Sequence, residues 1–206
     1  MVDQTLAGIV LAAGESRRMG RPKQLLPFGE RTILERAVDT LLAAGIGEVV
    51  VVLGHLAERV RSVLGDRPVR AVVNAEYRQG MLSSVKCGVR AIGAGYDAVL
   101  IALGDQPHIE VAVVSEVMRA YRAGSAGIVI PRYGDKKGHP IIINLPKYRQ
   151  AITNLPEDAG LNVLMQEHAD DVRLIDVTTE DIIRDIDVPD DYTRELARFT
   201  ERRSSL

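Results

Sequence analysis

Four short runs of the chain are apolar at almost every position: residues 8–13 (GIVLAA), 48–53 (EVVVVL), 69–73 (VRAVV) and 97–103 (DAVLIAL). A strand that is apolar on both faces must be covered on both, and a parallel sheet held between two layers of helix meets that condition. The segments between the runs supply the cover. Residues 32–44 set Ile33, Leu34, Ala37, Val38, Leu41 and Leu42 on one helical face, with Thr32 and Glu35 spaced as a capping box and Gly45 closing the end. Residues 111–121 repeat the pattern with Val113, Val114, Val117, Met118 and Tyr121, and Gly124 stands just beyond. Strand and helix alternate, so right-handed crossovers and a doubly wound α/β sheet are expected.

The rhythm changes after about residue 125. Residues 126–132 and 139–144 are strand-like and are joined by YGDKKG, a polar, glycine-bearing link that suits a hairpin better than a crossover. An antiparallel or mixed edge on the same sheet is therefore expected. A short helix over 161–168, a strand over 172–177 and a final helix over 189–200 follow. No low-complexity linker, internal repeat or second core interrupts the 206 residues, which predicts one Rossmann-like, mostly parallel domain over 1–206.

Composition narrows the function. Lys and Arg number 26 against 28 Asp and Glu, so the net charge of −2 offers no general attraction to nucleic acid or an anionic membrane, and a phosphate ligand must be held locally. Aromatic residues are 4% of the chain with no Trp, so a base is expected to rest on backbone and small side chains rather than between rings. The single Cys87 excludes an intrachain disulfide and a multi-cysteine metal site, suits a reducing compartment, and reads as a small buried helix residue. His55, His108, His139 and His168 are too scattered for a zinc pair. The polar start MVDQTLAG and the strand-length apolar runs predict a cytoplasmic protein without a membrane segment.

In open α/β sheets ligands lie beyond the carboxyl ends of the strands, so the loops there carry the chemistry. In the first, LAAGESRRMGRPK (11–23), the small Ala12, Ala13 and Gly14 let the backbone approach a ligand, and successive amides can form an anion-binding concavity. Arg18 and Lys23 add positive charge. The loop is neither a Walker A motif nor GxGxxG. After the most apolar strand, Gly104-Asp105-Gln106-Pro107 places a carboxylate where Mg²⁺ and a substrate phosphate could meet, although an Asp before Pro also serves as a turn residue. Near the other end Asp190 and Asp191 fall in the first turn of the final helix and offset its dipole. Asp187 reads as a cap or a ligand, with Asp185 on the same face as its alternative. Ser83 and Ser84, in QGMLSS before Val85, Val89 and Ile92, read as a helix N-cap or as phosphate contacts.

The spacing LAAGxSxRMGxxKxLLP resembles the signature of the MobA-like nucleotidyltransferases, which have a nucleotide-diphospho-sugar transferase-like fold. The LAAG form is similar to the molybdenum cofactor cytidylyltransferase branch; the guanylyltransferase branch reads LAGG. The resemblance implies that Leu11, Ala12, Ala13, Gly14 and Ser16 line the nucleotide, that Arg18 meets its phosphates, and that Lys23 neutralises charge at the reacting α-phosphate. GDQP resembles the family's metal motif, implying Gly104 at the nucleotide and Asp105 on Mg²⁺; DIDVPDDY (185–192) is similar to DIDTPEDY, implying Asp187 as the second ligand. QGMLSS resembles QGMSSSLRAG, implying nucleotide contacts at Gly80, Ser83 and Ser84. Gly138, His139 and Pro140 match GHP in RGHPVLF and so imply acceptor contacts, with Lys137 where Arg is usual, although a packed strand histidine fits as well. Residues 157–162 (EDAGLN) depart from GDxGAR: Asp158, an implied acceptor contact, and Gly160 are kept, while Asn162 replaces the Arg. Lys23, Arg18 and Asp105 become the implied catalytic set, with a nucleotide half over about 1–108 and an acceptor half over about 109–200. CTP, a molybdopterin-type phosphate acceptor and a molybdoenzyme receiving the product are the implied partners. A GTP-dependent guanylyltransferase, another small-phosphate cytidylyltransferase and a nucleotide-binding insertion chaperone are the alternatives.

Overall fold

The computed structural model describes residues 4–204, so the first three residues of the polar start lie outside the described residues. In chain order the elements are β1 (Leu6–Ala12), β2 (Pro27–Phe28), β3 (Arg31–Thr32), α1 (Ile33–Ala43), β4 (Glu48–Leu53), α2 (Ala57–Ser62), β5 (Val69–Val73), α3 (Met81–Ala91), β6 (Ala98–Leu103), α4 (Val111–Arg122), β7 (Ile128–Tyr133), β8 (Lys136–Lys137), β9 (Ile141–Asn144), α5 (Leu145–Asn154), α6 (Asn162–Glu167), β10 (Val172–Asp176) and α7 (Pro189–Ser204).

The main sheet has the order β5-β4-β1-β6-β9-β7-β10, with β8 paired to β7. Its register sets Val10 beside Val51 on one side and Ala102 on the other. Alternate residues then face opposite ways. Val10, Val51, Leu100 and Ala102 pack with α1 and α4, whereas Ile9, Val50, Val99 and Ile101 pack with α3 and α5. This two-sided burial, at about 1.5–3 kcal/mol for each large aliphatic side chain, is why the strand runs carry no polar alternation.

The mixed half of the sheet expected from the sequence is present, with its reversed strand placed differently. β9 is antiparallel to both β6 and β7 and lies inside the sheet, while β10 joins β7 in parallel and forms the edge. YGDKKG holds the tight β7–β8 hairpin, turning at Gly134 with φ 58°. The capping box of α1 forms as expected. Neither serine caps α3; its N-cap is Gly80. Helix α5 was not anticipated, although its start has a recognisable signal: the Asn144 side chain accepts from the Lys147 amide at 2.9 Å, and Pro146 lies in the first turn. Cys87 is half-buried rather than buried, and burial raises the pKa of its thiol. No helix among the described residues is long and apolar enough to cross a membrane.

A third, small core joins the two ends of the chain. Met19, Leu26, Phe28, Ile33 and Ile186 pack with Tyr192, Leu196 and Phe199 of α7. The Tyr192 hydroxyl donates to the Pro27 carbonyl at 2.6 Å, and the Ile186 amide donates to the Asp105 carbonyl at 3.3 Å. These contacts bring residues 185–187 to the carboxyl ends of β1 and β6. There the strand order reverses, so a crevice opens between the two loops.

Candidate active site

Beyond β1 the backbone makes a left-handed residue at Ser16 (φ 54°), a 3-10 turn over Arg17–Met19, and a second over Lys23–Leu25. Gln24 organises this loop, though nothing in the motif spacing singled it out. It is 3% exposed, and its amide donates to the carbonyls of Ala12 at 3.3 Å and Gly14 at 3.1 Å. Ser16 Oγ accepts from the Lys23 amide at 3.2 Å and donates to Gln24 Oε1 at 3.4 Å. The serine therefore folds the loop as well as facing its opening. Glu15 pairs with Arg17 and, at 2.9 Å, with Arg78, tying the loop to the segment before α3.

Across the crevice, Gly104 is required by close approach: a Cβ there would stand 2.8 Å from the Leu11 carbonyl. The next residue, Asp105, accepts from Lys23 Nζ at 2.6 Å through Oδ2, while Asp187 Oδ1 accepts from the same ammonium at 2.9 Å. Arg18 reaches the other Asp187 oxygen at 2.8 Å. Burial works against the Lys23 charge, yet the two carboxylates overcome it and hold the ammonium above its usual pKa. Burial likewise opposes the Asp187 carboxylate, and its bonds to Lys23 and Arg18 bring its pKa below the usual range. Among the described residues no cation bonds to Asp185, and Lys23 acts on it only from a distance. Burial and the neighbouring Asp105 and Asp187 charges push it up to about 6 despite a 2.8 Å bond from the Gln106 amide.

These groups line one cleft of about 480 Å³, together with every residue expected at the nucleotide except Ser83. Ser83 is buried, accepts from Asn74, and bonds to the carbonyls of Glu76 and Gly80, so it shapes the turn instead. Ser84 and Gly80 do reach the cleft. So does Tyr77, which means that a ring stands where only backbone and small side chains were expected.

A family model described as the MobA-like NTP transferase domain matches residues 8–172. The chain belongs to this MobA-like family. Among its relatives, the nicotine blue oxidoreductase of Paenarthrobacter nicotinovorans is 34% identical over 93% of this chain and 96% of that one. The molybdenum cofactor cytidylyltransferase of Escherichia coli is 28% identical over 94% and 96%. Among solved structures, Rv0371c of Mycobacterium tuberculosis superposes with a TM-score of 0.82 at 29% identity, covering 94% of this chain and 98% of that one; it has also been solved in complex with manganese.

Divalent-metal dependence is general among NTP transferases of the MobA-like kind, and the cleft chemistry suits a hard cation. Asp105 Oδ1 is buried without a hydrogen-bond partner, and a second carboxylate stands across Lys23 from it. No group of three His, Cys, Asp or Glu side chains among the described residues forms a ready metal cage, which accords with Mg²⁺ taking few protein carboxylates and completing its shell with phosphate and water.

The MobA-like cleft adjoins a second cavity of about 480 Å³, sharing Leu11, Gly80 and Met81 with it. His139 and Asp158, two of the expected acceptor contacts, line this cavity; burial lowers the His139 pKa to about 4, so the ring is neutral near pH 7. Gly138 and Pro140 do not line it. Gly138 lies so close to the Ile182 carbonyl that an added Cβ would stand 2.1 Å away, and Pro140 packs toward α1. Sequence reasoning missed Lys86, whose buried ammonium donates to the Leu155 carbonyl at 2.6 Å and pairs with Glu157 at 2.5 Å, fixing the cavity's outer loop to α3. A buried Lys in an amphipathic helix stretch was the available signal.

Proposed function

We propose that the chain transfers CMP from CTP to the terminal phosphate of a molybdenum–molybdopterin acceptor, giving molybdopterin cytosine dinucleotide and pyrophosphate. A phosphate oxygen of the acceptor attacks the α-phosphorus in line, the new P–O bond forms, and pyrophosphate leaves with the electrons of the broken bond. The observation that carries this reading is Lys23, held between Asp105 and Asp187 at the strand-order reversal. Arg18 and Lys23 bind the triphosphate and offset the negative charge that grows on it. The backbone of Ala12, Ala13 and Gly14 seats the nucleoside, with Tyr77 and Ser84 on the opposite wall. Asp105 and Asp187 would hold Mg²⁺, which would supply charge neutralisation at the phosphate oxygens. The acceptor phosphate is already ionised near pH 7, so no general base is required, and neutral His139 positions the acceptor rather than taking a proton.

On this reading the nucleotide half spans about 1–108, completed by Asp185 and Asp187, and the acceptor half about 109–200, with His139 and Asp158 facing the second cavity. The test is pyrophosphate release with each of the four NTPs and purified molybdenum cofactor. Release with CTP alone is expected; release with GTP alone replaces the cytidylyl reading with the guanylyl one. No release with any pair favours an insertion chaperone. The 34% identical relative named as an oxidoreductase gives a rival of another class. NAD(P)H consumption by the purified chain with a heteroaromatic acceptor, in the absence of pyrophosphate release, is the result that selects it.

A further inference from the structure

A third cavity, of about 490 Å³, lies behind the loop that presents Asp105, between α1, the start of α4 and α7. Its walls carry Arg36, Arg184, Arg198, Arg202 and Arg203 against Glu110 and Glu195. Three of the arginines are committed: Arg184, Arg198 and Arg202 pair with Glu180, Asp181 and Glu195 at 2.5 to 3.3 Å. The other two are not. Arg36 donates through Nε to the Pro107 carbonyl at 3.1 Å and lies 4.2 Å over the Phe199 ring, with no carboxylate of the described residues in ion-pair range. Arg203 lies 5.9 Å over the same ring, and among the described residues its one ion pair is with the exposed Glu30, 3.7 Å away. Glu110, the N-cap of the twelve-residue α4, makes no side-chain cap, so the positive end of that helix adds to the same wall.

The opposite wall has the reverse need. His108 is 6% exposed, and its Nε2 lies 3.2 Å from the Asp181 carbonyl, which can only accept, so Nε2 carries the hydrogen. Nδ1 is then a bare acceptor, buried and without a hydrogen-bond partner, 3.6 Å from Glu195 Oε2, another acceptor. Glu195 is already paired with Arg184 and Arg198, so Nδ1 is the acceptor on this wall that lacks a donor.

We infer that this cavity is a binding site for a small phosphate monoester whose organic part carries a hydroxyl, with the phosphate on Arg36, Arg203 and the start of α4 and the hydroxyl donating toward His108 Nδ1. A guanidinium with both its terminal nitrogens uncommitted matches a phosphate by charge and by its forked geometry. Ile109, Val111 and Phe199 give the organic part an apolar wall. The site is separate from the nucleotide cleft, yet shares its supports. Arg36 holds the carbonyl of Pro107, two residues past Asp105, and Arg184 immediately precedes Asp185, so occupancy bears on the carboxylates from behind.

The test is calorimetric titration of the full chain with glycerol 3-phosphate and, separately, with inorganic phosphate. Saturable binding is expected, with glycerol 3-phosphate tighter than phosphate. Arg36→Gln weakens both by about tenfold, the loss of one charge-assisted bidentate contact. Arg203→Gln, at an exposed position that does not threaten folding, weakens both as well. His108→Phe removes the preference for the hydroxylated ligand, and Lys23→Ala changes neither affinity more than about twofold. Absence of saturable binding, affinity unchanged in both arginine variants, or affinity lost in Lys23→Ala overturns the proposal. Titration without turnover keeps this outcome distinct from that of the nucleotidyltransfer assay.

Discussion

Lys23 satisfies two carboxylates at once, and its removal leaves Asp105 and Asp185 without a paired cation and only Arg18 against Asp187. Lys23→Ala and Asp105→Asn are each expected to lower kcat/KM by at least about a hundredfold, the scale of losing one charge-stabilising group, while the fold survives. Pyrophosphate-release kinetics alongside circular dichroism check this. Asp185 gives a prediction with a definite sign. Its carboxyl holds a proton up to about pH 6 in the folded chain, whereas the unfolded chain releases it near pH 4, so stability falls as pH rises through that window. Asp185→Asn keeps an acceptor for Gln106 and is expected to raise stability above pH 6 by about 1 kcal/mol, a figure reduced for its solvent-facing side, with the gain disappearing toward pH 4. Thermal melts at pH 4 and pH 8 read it directly. At this scale the charged side chains were legible because phosphate chemistry requires them in strand-end loops. Gln24 and Lys86 were not, since their main partners are backbone carbonyls distant in sequence, which leave no spacing pattern around either residue.

At the scale of elements, the link from β8 to β9, where it passes the 3-10 turn over Glu180–Ile183, depends on one missing methyl group. Gly138→Ala drives a Cβ against the Ile182 carbonyl, a backbone atom that cannot rotate away. A loss of about 2–4 kcal/mol in urea unfolding is expected. Lys86→Met should leave the sheet intact and free residues 155–162, seen as faster amide exchange confined to that loop. The apolar strand β4 was read to the residue, because two-sided burial writes itself into nearly every position; β5 has the expected bounds but not the expected burial, since it is the edge strand and leaves Arg70 and Val73 exposed. The six-residue α2 and the two-residue strands β2 and β3 were missed: each is too short for its period to repeat and show. The placing of β9 inside the sheet was beyond local pattern as well, because β10 decides it by pairing with β7 from far along the chain.

For the whole molecule, a near-zero net charge conceals a strong separation of charge inside the cleft. Mg·CTP is therefore expected to raise the melting temperature more than Mg·GTP, and more than CTP without metal; equal shifts count against the cytidylyl reading. Differential scanning fluorimetry across the four nucleotides is sufficient. The class of fold was legible from order alone, since alternating strands and helices admit few topologies. The closing of the cleft was not, because it rests on the small core through which α7 packs against Phe28 and Leu26. That arrangement sets an order on biosynthesis. Asp187 follows Lys23 by 164 positions, so a growing chain has its first loop and Asp105 long before the carboxylate that completes the ammonium's pairing. The cleft reaches its electrostatic balance only when α7 has left the ribosome and docked, and a nascent or prematurely ended chain has a sheet without a finished site.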